Sequence, residues 1–414
     1  MKEPAALRRR KAWWSGLDHR KSYILFLVAA TGTYGAIVAS LLPSLVSTWM
    51  LRLGLSERMA GEVATVNVLA ATVGLCLSLF LVSRWPLPRM ARTGIALAIA
   101  GDLLSILASD MVQLCATRAL AGLGAGLLVG AATNWFGRHE YAARGFGMYI
   151  MLQFVMAALV LAVIPEIDPR LGHTGVYVAL LALGALSASL YPLLNLNGGS
   201  EPLSHGPVEA EPAAATPESS GMLKILSVLA FGMFNISAIG LWSYMLRYGE
   251  IVGLSNGMAS HILAVSSLCG IPGTILVIVL GARYGRFWPL TVGLLAYTIP
   301  VAVFAAATVS PAIFIAGMVL QSVAWAIVVP YFQAVQAALD GTGRLAVWGM
   351  IVASVGAGLG PVLFGMTIDG ESYSATFATA VVAMAATVIL GAGPAVIVDL
   401  RGRWEKRGRA SQPA

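Results

Sequence analysis

Apolar runs of about twenty residues recur along the whole of this 414-residue chain. A helix of that length crosses a hydrocarbon layer of ~30 Å. Twelve crossings are expected, at about 22–49, 56–82, 92–109, 112–136, 145–165, 174–194, 222–248, 256–281, 287–307, 311–338, 345–368 and 374–398. In lipid a backbone must satisfy its own hydrogen bonds, which leaves only helices and closed barrels. These runs are too long and too continuous for barrel strands. The expected fold class is therefore all-α, a polytopic membrane protein of twelve transmembrane helices. Composition agrees, since only 11% of residues are charged, against about 25% in soluble domains.

The net charge of +7 needs no nucleic acid to explain it. Of the 26 Lys and Arg, 21 fall on the side of both termini, 4 on the other side, and Arg118 alone inside a span. That asymmetry places both termini in the cytoplasm of a cell whose inner membrane holds the protein. The basic ends then lie against anionic headgroups of the bilayer. The first apolar run is too long for a cleaved signal and follows a 21-residue charged lead, so it is expected to stay as a span. Cys76, Cys115 and Cys269 all fall inside spans without metal-ligand spacing, and no metal or cofactor is expected.

Residues 195–221 break the pattern, with four Glu, four Pro and no Lys or Arg. Such a segment cannot bury a core and is expected to be a disordered cytoplasmic linker. It divides the chain into a basic segment (1–21), a first six-helix bundle (22–194), the linker (195–221), a second bundle (222–398) and a basic tail (399–414). The bundles echo each other. Residues 54–94 and 253–293 share 12 identities over 41 positions at a constant offset of 199, including Gly-Leu-Ser at the start and Arg84/Arg283. Six spans per half means both halves enter the membrane in the same direction, as parallel repeats about an axis along its normal. Ser56 and Ser255 are the expected N-caps of equivalent helices.

Two motifs sharpen the picture. In the fourth span Arg118 follows Leu114 by four residues and precedes Gly122, Gly124 and Gly126. Between the eighth and ninth spans stands Arg283-Tyr-Gly285-Arg286, and between the second and third only Arg84 remains of that pattern. With its two six-helix halves and cytoplasmic linker, the chain resembles the major facilitator superfamily, which implies secondary transport by alternating access and no enzymatic activity. The family's turn motif has an aspartate where this chain has Ser83 and Ala282, so the resemblance implies no carboxylate latch in either half. The family's proton-driven drug exporters carry Gly-Pro in span five, which is missing here; uptake is the expected direction, with proton-coupled efflux as the alternative. Gly356, Gly358, Gly360 and Pro361 in span eleven suit close, flexible helix packing. A transporter-like sensor or scaffold is the alternative outside the class.

Ionisable groups inside spans are costly and so mark function. Asp102 lies eight residues before Asp110 at the turn between spans three and four, and Arg118 eight after it. Both are thus ~12 Å from that turn and can pair. The pair is the leading candidate for proton coupling, with a static structural ion pair as the alternative. Glu62 and His261 occupy equivalent repeat positions, and an acid and an imidazole there could meet across the outer vestibule. Asn235, Trp242, Gln321, Trp325, Gln153 and Tyr34 are candidates to line the substrate cavity, because pockets combine an apolar, aromatic lining with a few polar groups. The expected partner is a small organic molecule, aromatic or amphipathic and neutral or weakly acidic, carried by a monomer and accompanied by protons.

Overall fold

The computed structural model describes residues 19–137, 142–194, 220–281, 283–306, 309–340, 344–370 and 372–410. The first half comprises α1 (His19–Ser40), α2 (Leu42–Leu53), α3 (Glu57–Leu81), α4 (Leu87–Leu107), α5 (Met111–Gly137), α6 (Ala142–Ile167) and α7 (Gly175–Leu190). The second comprises α8 (Gly221–Trp242), α9 (Met245–Ile251), α10 (Asn256–Leu280), α11 (Phe287–Ala306), α12 (Pro311–Leu339), α13 (Arg344–Gly365) and α14 (Ser374–Ala410). Eleven of these helices are long and apolar enough to cross a membrane. The crossing expected at 174–194 is a 16-residue helix, α7, that tightens into a 3₁₀ turn at Tyr191–Leu194. Pro192 lies in that turn and has no N–H to continue an α-helical ladder. Of the linker expected over 195–221, residues 195–219 lie outside the described residues, as do residues 1–18 of the N-terminal segment.

Two runs expected as single spans are broken instead. The run at 22–49 divides at Leu41, between α1 and α2, and Pro43 stands in the first turn of α2. A proline suits that position because the first N–H groups of a helix have no partner in any case. The run at 222–248 divides at Ser243 and Tyr244, between α8 and α9. There the Ser243 hydroxyl donates back to the Ile239 carbonyl at 2.7 Å, a bond that bends helices. Each half thus has its first span broken near the same end.

The duplication is visible in local geometry. α3 and α10 are each 25 residues long, and both their first and last residues stand 199 positions apart. Ser56 accepts from the Met59 N–H at 3.3 Å and Ser255 from the Met258 N–H at 3.2 Å. Both caps mark one end of the bundle, called below the serine-capped end. Each satisfies an N–H that lipid or protein would otherwise leave bare.

Within the first half α5 is the axle, packed against both α3 and α4. A Cβ on Gly122 would collide with the Asn67 carbonyl of α3, one on Gly126 with that of Ala71, and one on Gly124 with the Ala98 nitrogen of α4. Without side chains there, the backbones approach closely, which matters where lipid supplies no hydrophobic drive between helices. Gly356 and Gly360 do the same for α13 against the Gly232 and Ile236 carbonyls of α8. The halves meet where α3 packs on α13 and where α6 packs on α10. Outward-facing positions carry large apolar side chains such as Phe80, Ile278 and Ile389, each more than two-thirds exposed. A soluble monomer does not display so much apolar surface; here it is the face for acyl chains.

The glycine packing is open to test. Gly126→Val is expected to wedge α5 from α3 and to cost about 1–3 kcal/mol or more by overpacking, seen as a lower melting temperature in detergent. Gly147→Val is the control, because nothing lies within 4 Å of its added Cβ; it is expected to leave melting unchanged.

Candidate functional site

The expected pair forms. Arg118 Nη1 lies 2.7 Å from Asp102 Oδ1, with the side chains 0% and 2% exposed. The hairpin of α4 and α5 sets their common depth, and Gly101, whose Cβ would meet the Ala121 backbone, lets the two helices close. Four further helices complete the arrangement. Tyr34 of α1 donates its hydroxyl to Asp102 Oδ2 at 2.7 Å. Arg118 Nε donates to Asn67 Oδ1 of α3 at 2.9 Å. The guanidinium also lies 5.9 Å from the ring centroid of Tyr177 on α7, whose hydroxyl accepts from Trp49 Nε1 of α2 at 2.7 Å. Arg118 Nη2 alone has no partner among the described residues. Tyr34, expected to line a cavity, is thus committed to Asp102 inside the first half.

Among the described residues no buried ion pair in the second half matches this cluster. Positions 199 beyond Asp102 and Arg118 are Val301 and Gly317. Phe304 fills the space in front of Gly317. Around it Tyr248, Phe314, Tyr373 and Phe377 stack with centroids between 4.6 and 6.4 Å apart. One half is keyed by charge and the other by aromatic packing.

Glu62 and His261 do not meet. Glu62 pairs with Arg58 one turn back, at 3.2 Å, and His261 Nε2 donates to the Ala162 carbonyl at 3.2 Å. The helix packing gives the reason: equivalent positions face different seams, α3 toward α13 and α10 toward α6. Trp242 is likewise a seam residue, its indole donating to the Ser40 carbonyl at 3.1 Å. Asn235 is buried and donates to Phe231 of its own helix. Gln153 is half-buried on α6, and Gln321 and Trp325 lie one turn apart on α12.

The turn motif shows a second departure. Arg84 and Arg283 are exposed, and no carboxylate comes from the turns themselves. A carboxylate does arrive from the last helix. Asp399 of α14 accepts from the Arg286 N–H at 2.8 Å and the Phe287 N–H at 2.9 Å, capping the first turn of α11. Gly285, at φ 75°, makes room, since a Cβ there would strike the Asp399 carboxylate. The expected absence of a latch is therefore corrected for the second half. The sequence signal was a lone acid at the end of the last apolar run.

The halves are sewn together at one end. Among the described residues, every hydrogen bond between them lies toward the serine-capped end. Tyr244 gives its hydroxyl to the Glu57 carbonyl of the first half (2.9 Å) and to the Pro361 carbonyl of its own (2.7 Å). Gly61 and Gly365 form the socket, because a Cβ on either would strike that hydroxyl. Ser260 donates to the Leu161 carbonyl at 2.6 Å, and the Val362 N–H to Thr65 Oγ1 at 3.3 Å.

A sequence model of the Major Facilitator Superfamily matches residues 24–339. The chain belongs to that superfamily. It is a secondary transporter, not an enzyme. Solved structures agree in fold. A peptide transporter, POT, in complex with alafosfalin superposes with a TM-score of 0.72 at 16% identity, covering 91% of this chain and 94% of that one. A D-xylose–proton symporter gives 0.69 at 13% identity, covering 92% and 97%. A bacterial homolog of the human lysosomal transporter Spinster, in an inward-facing and unoccupied conformation, gives 0.66 at 17% identity, covering 94% and 98%. The chain matches no curated protein in sequence.

Tyr244→Phe removes the hydroxyl that reaches both seam carbonyls. It is expected to destabilise the closed end by about 1–2 kcal/mol. A cysteine placed at Thr65 in a Cys-free background should then react faster with a membrane-impermeant maleimide; an unchanged rate would show that the hydroxyl does not hold the seam.

Proposed function

We propose that this transporter takes up a small organic molecule, aromatic or amphipathic and neutral or weakly acidic, across the inner membrane, and that protonation of Asp102 drives it. The observation that carries the proposal is the Asp102–Arg118 pair, buried in the first half. A charge pair out of water holds together only while both members are charged, and removing one leaves the other uncompensated. A proton on Asp102 cancels the carboxylate, and Arg118 must then find another acceptor. α4 and α5 lose their electrostatic tie at that moment, which links proton binding to movement of the helices that pack on α3. The name of the D-xylose–proton symporter supports such coupling within this fold.

The excess of Lys and Arg on one side supports placing both termini in the cytoplasm and the serine-capped end outside. The conformation is then closed outward, and transport proceeds by rocking of the halves about the α3–α13 and α6–α10 seams. The absence of the exporters' Gly-Pro pair in α6 supports uptake. Each chain contains both halves, so a monomer suffices.

The test uses protein reconstituted in liposomes, with solutes found by thermal-shift screening. Asp102→Asn is expected to abolish accumulation against a gradient while counterflow persists, because the asparagine keeps the shape but cannot cycle a proton. Arg118→Ala is expected to cost ~3–5 kcal/mol and to impair expression, since it leaves a carboxylate unpaired. The double variant Asp102→Asn with Arg118→Gln should recover expression alone. Concentrative uptake by that double variant would overturn the coupling role and leave a structural ion pair.

A further inference from the structure

The halves share an ancestry, yet they treat their buried polar groups differently. In the first half Asn67, ten residues beyond the start of α3, accepts from Arg118. Its equivalent 199 positions later is Ser266, ten residues beyond the start of α10. Ser266 is 0% exposed, and its hydroxyl has no hydrogen-bond partner among the described residues. On α12, Gln321 is also ten residues past the first residue, is 5% exposed, and its amide nitrogen has no partner. One turn further along, the indole N–H of Trp325 has none either. Ten residues of helix amount to about 15 Å, so Ser266 and Gln321 lie within about a turn of the same depth.

Gln321 and Trp325, four apart, share one face of α12. That face reaches the seam. Trp325 is met edge-on by Phe154 of α6, with ring centroids 6.3 Å apart. The same Phe154 ring occupies the space in front of Gly270, one turn beyond Ser266 on α10. One helix of the first half and two of the second therefore converge on three unpaired polar groups.

Leaving a buried N–H without an acceptor is costly, and proteins pair the great majority of them. Here the unpaired atoms of Gln321 and Trp325 can only donate, and Ser266 can donate as well. Their complement is an acceptor oxygen. The walls beside them, Trp325 and Phe154, are aromatic and suit a planar ring. None of the four side chains is a carboxylate, so a ligand's ammonium would find no countercharge among them.

We infer that Gln321, Trp325 and Ser266, with Phe154, recognise a planar ring compound bearing a carbonyl or carboxylate oxygen. The inference rests on the transporter reading above and names its substrate class. Binding supplies the missing acceptor and joins the halves through the ligand at the seam that must move.

The test is thermal unfolding of the purified full-length chain in detergent, with benzamide and benzoate as acceptor-bearing probes and benzylammonium as the ring without an acceptor. Benzamide or benzoate is expected to raise the melting temperature with concentration, and benzylammonium is not. Gln321→Leu and Trp325→Phe are each expected to weaken the probe's apparent affinity about tenfold. Because the Gln321 donor has no partner among the described residues, Gln321→Leu should leave ligand-free melting unchanged or higher. A drop in ligand-free melting, or failure to fold, would show a structural amide and overturn the site. So would undiminished probe binding by both variants, or equal binding of benzylammonium. The site and the coupling fail separately. Binding as expected without proton-driven accumulation keeps the site and removes the coupling. Proton-driven accumulation of some other solute, with neither acceptor probe bound, removes the site and keeps the coupling.

Discussion

Lipid gives helices no hydrophobic reason to touch one another, and the rest of this structure follows from that constraint. Where the chain needs two helices in register it removes side chains altogether. The glycines of α5 bring carbonyls of α3 and nitrogens of α4 within reach of its backbone, and those of α13 do so for α8. Only then can the short reach of Asn67 and Asp102 arrive at Arg118. A charge pair in this setting needs its helices held tightly, since a water-sized gap would change its energetics entirely. Dispersion and polar bonds at close range do the work that hydrophobic burial does in water.

The duplicated unit has diverged in its contents while keeping its frame. Helix lengths, caps and broken first spans recur from half to half. The chemistry does not. The first half gathers an ion pair with a tyrosine and an asparagine around it, and the second gathers rings. Each half also ties the turn after its second long helix to the end of its last one, by different means. In the first, the Tyr191 hydroxyl donates to the Pro88 carbonyl; in the second, Asp399 receives two backbone N–H groups. A frame that tolerates either solution leaves each half free to specialise.

How much of this was legible in the chain depends on the range of the interaction. Helix positions follow from apolar run length, and the repeat from a constant offset; Ser56 and Ser255 cap their helices as their local sequence dictates. Asp102 and Arg118 were within reach because a hairpin fixes depth by counting residues from its turn. Glu62 and His261 were not, because equivalent positions in a repeat need not be adjacent in space. The breaks at Leu41 and Ser243 fall inside uninterrupted apolar runs, where hydropathy carries no mark of a bend and only Pro43 gave a hint. Asp399 and Tyr244 act on carbonyls and N–H groups remote in sequence, which no spacing records.

The tyrosine at the seam has one hydrogen and two oxygens to serve. In the closed form Tyr244 divides that hydrogen between Glu57 of the opposite half and Pro361 of its own. In the rocking proposed above, the hydrogen would go wholly to Pro361 as the halves part, and no donor would be stranded. Such a separation would forfeit a share of a bond instead of a whole one, since the Glu57 carbonyl, at the first residue of α3, keeps its place as an acceptor in the helix ladder. A fastener of this kind holds by geometry while adding little to the barrier for release. A cycle that must close and reopen on every turnover is better served by such a sharing than by a stronger, unshared bond.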